Sequence, residues 1–178
     1  MKLEIECTWN EKKHKAKMTI CFDSLPKTLF AMPPDQIRLI QKLGREGDKG
    51  LAQLKEIKMR YPRSLYATFV YFQALEFFKQ QAEADQLFCE IQDKFPKEVL
   101  TRCMLAERAL KQNQYEEFKA HFQGLEVLKP IFRYRKLFFF EEALFFHNLW
   151  VNYYIVKEQP FQQQKHLQFI RLIMNLLK

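Results

Sequence analysis

Glycine is scarce in this chain, at 4 of 178 residues. That scarcity speaks against Gly-rich phosphate loops and against the many tight turns of an all-β fold. The four cysteines, Cys7, Cys21, Cys89 and Cys103, form no C-x-x-C pair. Neither among themselves nor with His14, His121, His147 and His166 do they show a zinc spacing, so no metal is expected. No G-x-S-x-G, H-E-x-x-H, P-loop or dinucleotide fingerprint occurs, and no cofactor, catalytic residue or enzymatic activity is expected. The doublets Glu116-Glu117 and Glu141-Glu142 do not make an acid/base pair, because adjacent helical residues point about 100° apart. They are expected on solvated faces, and the four isolated histidines at surface or half-buried positions. A long uncharged apolar run is also lacking. Leu137 to Val156 comes nearest, but Glu141 and Glu142 inside it would each cost about 2.5–3.5 kcal/mol at a bilayer centre. A buried helix of a soluble bundle explains that segment better. The first residues alternate charged and apolar side chains, unlike a signal peptide. With the unpaired cysteines this leads to the expectation of a reducing, cytoplasmic setting.

What the chain does have is hydrophobic side chain, at 48%, with 18 Phe among it. A chain of this length buries roughly two thirds of its unfolded surface and needs no staple to fold. The net charge is +8, from 29 Lys+Arg against 21 Asp+Glu. The excess sits at the two ends: 13 basic against 8 acidic residues over 1–60, 4 against 6 over 61–98, and 12 against 7 over 99–178. A basic surface serves solubility, or it meets an anionic partner such as an acidic protein segment, nucleic acid or a lipid headgroup.

Residues 3–22 alternate with period two. Leu3, Ile5, Cys7 and Trp9 share one face of a first strand, and Ala16, Met18, Ile20 and Phe22 one face of a second. A turn over Asn10-Glu11-Lys12-Lys13-His14 joins them. Pairing about Lys12-Lys13 sets Trp9 against Ala16, Cys7 against Met18, Ile5 against Ile20 and Leu3 against Phe22. Cys7 and Cys21 then lie on opposite faces, which argues against a disulfide. A lone hairpin is marginal in water, so its apolar face must cover the helical body or another copy. Its open edges could accept a partner strand.

The rest is helical in pattern and repeats. Pro62, Pro96 and Pro130 are spaced by 34 residues, as are Leu54, Phe88 and Phe122, and Ile57, Ile91 and Leu125. Ala84-x3-Phe88 followed by Pro96 stands beside Gly50-x3-Leu54 with Pro62 and Phe118-x3-Phe122 with Pro130. This pattern resembles the tetratricopeptide repeat (TPR), whose period is 34 and whose motif ends in A-x3-F followed by Pro. The front half of that motif, W-x2-L-G-x2-Y, is degraded, as in Thr68-x2-Tyr71-Phe72-x2-Leu75, so the resemblance rests on the period and the back half over about residues 31–132. Helices are expected at about 35–43, 48–60, 64–79, 81–94, 97–111 and 114–128. After Pro130 the period fails, and an aromatic-rich helix or helix pair over 131–157 and a last helix over 161–177 are expected to cap the array.

The expected fold is therefore mainly α: a TPR-like superhelix of antiparallel helix pairs (an α-solenoid) with an N-terminal β-hairpin. Residues 1–30 form the hairpin appendage, 31–132 three helix pairs and 133–178 the aromatic capping helices. The resemblance implies a concave groove lined by Tyr66, Phe69, Gln73, Phe77, Leu100, Cys103, Glu107, Lys111, Tyr134 and Glu141. It implies a noncatalytic adaptor or chaperone-like module that binds a peptide or partner helix there. The family subtype that clamps a C-terminal carboxylate is not expected, because Phe69, Gln73, Cys103 and Glu107 stand where its Lys, Asn and Arg would. A basic tract, Lys129, Arg133, Arg135 and Lys136 around Tyr134, suits an acidic peptide or stacked bases, or a plain helix start at a solvent edge. Nucleic-acid or anionic-surface binding through the basic ends is the alternative function. Self-association through the hairpin or the aromatic helices is a third.

Overall fold

The computed structural model describes residues 1–9, 14–22, 27–43 and 48–177. The expected turns at residues 10–13 and 44–47 lie outside the described residues. The protein is mainly helical with a small three-stranded sheet. In chain order the elements are β1 (Lys2–Trp9), β2 (His14–Cys21), α1 (Lys27–Phe30), α2 (Pro34–Leu43), α3 (Asp48–Arg60), α4 (Leu65–Phe77) and α5 (Gln81–Lys94). They continue as α6 (Val99–Lys111), α7 (Tyr115–His121), α8 (Leu128–Ile131), β3 (Leu137–Phe139), α9 (Phe140–Val156) and α10 (Pro160–Leu176). Two compact units form, one of Leu25–Thr101 and one of Met1–Ser24 with Arg102–Lys178, and the division falls within α6.

In the unit of Leu25–Thr101, sequential helices pack on one another: α2 on α3, α3 on α4 and α4 on α5, with α1 and α2 also touching α4. Helix α4 is apolar around its whole circumference, which is the signature of a central helix. Leu65, Tyr66, Ala67 and Thr68, successive positions that point to all sides of the helix, are all buried. Ser64 starts it by accepting the Ala67 N–H at 3.2 Å, and its hydroxyl also reaches the Leu29 carbonyl at 3.4 Å.

Local backbone geometry repeats with the sequence period. Tyr61 N–H donates to Ile57 and Phe95 N–H to Ile91; Ser64 donates to Tyr61 and Glu98 to Phe95. Gln80 donates to Leu75 and Gln114 to Ala109, each bond recurring 34 residues on. The turns that end α4 and α6 use Lys79 and Asn113 in the left-handed region, at φ 57° and 59°. A left-handed residue after the last helical turn, with the next N–H reaching back five positions, is a Schellman-type stop.

In the other unit the sheet order is β1-β2-β3, with β1 and β2 antiparallel and β3 parallel to β2. The hairpin faces are as expected, but the register is displaced by two residues: Cys7 opposes Ala16, Ile5 opposes Met18 and Leu3 opposes Ile20. A slip of two leaves every side chain on its own face, so apolar alternation cannot distinguish the two registers. The turn has no Asn-Gly or Asp-Gly to choose between them. Met18 and Ile20 are buried, and β2 packs against α8 and α9. Neither Cys7 nor Cys21 is in a disulfide, and the Cys21 thiol donates to the Phe138 carbonyl at 3.2 Å. The hairpin therefore docks on its own chain.

Two helical expectations are corrected here. Helix α7 stops at His121 instead of about 128, where Gln123 and Gly124 turn the chain at φ 55° and 68°. Pro130 consequently sits inside the four-residue α8 rather than closing α7. Leu137–Phe139 is a strand, not helix, because a short continuous apolar run carries no period to separate the two. Among the described residues no helix is long and apolar enough to cross a membrane.

Candidate functional site

The residues expected to line a groove have unequal environments. Tyr66, Phe69 and Leu100 of one unit are buried, whereas Gln73 is exposed and Phe77 is 79% exposed. Of those in the other unit, Cys103 is buried, Glu107 and Glu141 are half-buried, Lys111 is exposed and Tyr134 is 63% exposed. Glu107 pairs with Lys111 at 3.3 Å across one helical turn. Burial, with Glu142 and Glu107 nearby, pushes the Cys103 thiol well above its ordinary range. Phe77 and Tyr134 are thus the large aromatic side chains of the ten that present themselves to solvent.

The basic tract is built into its own loop. Lys129 Nζ donates to the Arg133 and Arg135 carbonyls at 3.1 and 2.6 Å, and Arg133 Nε to the Pro130 carbonyl at 3.3 Å. Arg135 is buried and grips Glu142 with two parallel bonds of 2.6 and 2.9 Å, its guanidinium over the Phe138 ring. Glu142 also accepts the Phe139 N–H at 2.8 Å, which anchors the start of α9. Glu142 is fully buried, so the expectation of a solvated face fails for it. The reason is that Arg135, seven residues earlier, supplies a planar fork that satisfies both carboxylate oxygens. Lys136 remains exposed.

A second buried polar cluster lies on α9 and α10. His147 and His166, both buried, place their Nδ1 atoms 2.7 Å apart. His166 Nε2 lies 3.1 Å from Glu126, whose other carboxylate oxygen accepts the Tyr154 hydroxyl. Aromatic rings wall the pair: Phe169 stacks on His147 at 3.9 Å and Trp150 on His166 at 6.0 Å. The buried Trp150 indole N–H meets no hydrogen-bond acceptor among the described residues. Burial holds His147 well below its usual value, and His166 adds to that effect. For Glu126 burial pulls upward, but hydrogen bonds from His166 and Tyr154 prevail and keep its carboxyl below the usual range. Burial and the Glu126 carboxylate push the Tyr154 phenol up.

The two-histidine contact corrects the expectation of isolated surface or half-buried histidines. A signal for it exists in the sequence. His147 follows Phe146 and precedes Trp150 and Tyr154 on one stripe of α9, and His166 precedes Phe169, Ile170 and Ile173 on one stripe of α10. A histidine on an apolar stripe on each side of a helical turn marks a buried pair. Chemically, the chain Tyr154–Glu126–His166–His147 can hold and share protons. Among the described residues no group of three or more His, Cys, Asp or Glu is arranged to hold a metal ion. An open cleft of about 170 Å³ on the other unit, over Lys55, Lys58, Tyr71, Glu83 and Glu90, is closed electrostatically by Lys55–Glu83 and Lys58–Glu90 pairs at 2.8 and 2.7 Å.

No protein-family model, no curated protein and no solved structure matches this chain.

Proposed function

We propose that the protein is a noncatalytic, cytoplasmic interaction module of TPR-like helix pairs, an adaptor or chaperone-like protein that holds a peptide or partner helix. The observation that carries this reading is the recurrence of the α4–α5 turn at α6–α7, bond for bond and 34 residues on. Repeats of this kind stack because one helix pair cannot bury its own apolar face. Binding draws on exposed aromatics, which supply most of the energy where a pocket removes them from water. Phe77 and Tyr134 meet that requirement. Phe69 does not, because truncating a buried ring tests stability instead.

The test is a displayed peptide library panned against the whole protein, followed by affinity measurement for the enriched sequences. Phe77→Ala or Tyr134→Ala is expected to weaken binding about tenfold or more, with an unchanged unfolding midpoint. Unaltered affinity in both variants removes these surfaces, and a library that yields no saturable binder removes the role.

Nucleic-acid or anionic-surface binding through the basic tract is less well supported, since Lys129, Arg133 and Arg135 already serve their own loop. Self-association has one observation in its favour: Ile155, Val156 and Phe161 about the α9–α10 turn are 54%, 51% and 72% exposed. A monomeric mass by light scattering at high protein concentration would dispose of that reading.

A further inference from the structure

The two imidazoles between α9 and α10 share a single bond, Nδ1 to Nδ1 at 2.7 Å. Such a contact needs one ring to donate and the other to accept. His166 can carry a positive charge, because the Glu126 carboxylate stands at its Nε2. In that state its Nδ1–H donates and the His147 Nδ1 accepts. His147 has no such support: it is walled by Phe146 and Phe169, at ring distances of 5.2 and 3.9 Å, and faces the other imidazole. The further titratable and charged groups about the pair are Glu126 from the segment between α7 and α8, Tyr154 from α9 and Lys165 from α10. Tyr154 is also engaged with Glu126, so the one carboxylate beside the pair stands at His166 and none stands at His147.

We propose that α10 is an acid-released latch: a second proton on the His147–His166 pair turns both Nδ1 atoms into donors, breaks the bond between the helices and frees α10 from α9. Release would uncover the α9 rings of Trp150 and Tyr154, which stack on His166. His147, depressed in the folded state, contributes stability that is fully present above its ordinary value near 6.5. That contribution is lost as pH falls below that value toward its folded value. Glu126 acts in the same direction, since its carboxyl is also depressed, but only below the usual carboxylate range. The physiological window is therefore that of His147.

Hydrogen exchange of the intact protein tests this, with amides of α4 and α5 as the reference for global unfolding. The opening constant of α10 is expected to rise about tenfold per pH unit below about 6.5, after correction for intrinsic exchange. In His147→Gln, which keeps a donor at this position without titrating in this range, the rise should disappear. An identical rise in the variant, or an α10 opening constant equal at pH 7.5 and 5.5 in the natural protein, would overturn the latch. NMR titration of the natural protein decides independently of any variant's folding. The His147 ring resonances should titrate well below 6.5, and a midpoint at or above that value refutes the proposal.

Discussion

The unit of Leu25–Thr101 and the unit of Met1–Ser24 with Arg102–Lys178 treat polar groups differently. In the first, the buried polar side chains among the described residues are the hydroxyls of Ser64, Thr68 and Thr101; Ser64 and Thr68 engage backbone within one helical turn, and Ser64 also reaches the Leu29 carbonyl. Its ion pairs, Lys55–Glu83 and Lys58–Glu90, keep 20–52% of their side-chain surface in water. In the second, Arg135, Glu142, His147 and His166 are all buried, each satisfied by a partner 7 to 40 residues away. The first unit is therefore held by apolar burial and local caps, and charge trims its margins. The second also depends on specific pairings, which fail when either partner is removed or changes protonation.

Breaking the strongest of those pairings gives the largest expected effect. Glu142→Ala leaves the Arg135 guanidinium buried without its carboxylate and frees the Phe139 N–H, at a cost of about 3–5 kcal/mol in chemical denaturation. Replacing both partners by apolar side chains of similar volume should restore most of that loss, because both desolvation penalties go together. A loss below about 1 kcal/mol in the single variant would mean that this bridge is not what secures the start of α9.

The expectations that survived and those that did not follow the same divide. Helices α2 to α6 were legible to within a few residues because their cues are local: proline after each pair and apolar positions that recur every 34 residues. The buried stripe of α9 was legible for the same reason. The Arg135–Glu142 bridge was not, because a charge reads as surface until its partner is known; for the His147–His166–Glu126–Tyr154 cluster the apolar stripes of α9 and α10 signal two buried imidazoles but not the partners Glu126 and Tyr154. The strand β3 was hidden for a related reason: Leu137–Phe139 becomes a strand only through β2. Of the ten groove positions, the resemblance put Tyr66, Phe69, Leu100 and Cys103 on the same footing as Phe77 and Tyr134. Only packing separates the buried from the exposed.

Smaller effects sharpen the contrast from the other side. Ser64→Ala removes the cap of α4 and should cost about 0.5–2 kcal/mol, read as a lower denaturation midpoint with an unchanged slope. Lys58→Ala removes a partly exposed pairing with Glu90 and should cost only about 0.2–1 kcal/mol, less still in high salt. An effect of Lys58→Ala as large as that of Glu142→Ala would erase the distinction between the two units.

The parallel pairing of β2 with β3 also has a meaning in time. The Cys21 thiol and the Phe138 carbonyl that it meets are separated by 117 residues of chain. At synthesis rates of 5–20 residues per second, the hairpin leaves the ribosome roughly 6–24 s before the strand that covers its edge exists. Throughout that interval the backbone of β2 and the apolar side chains of Met18 and Ile20 are without their final neighbours. The nascent chain is consequently most prone to wrong pairing early in its synthesis, and a chaperone that shields extended segments would matter most at that stage.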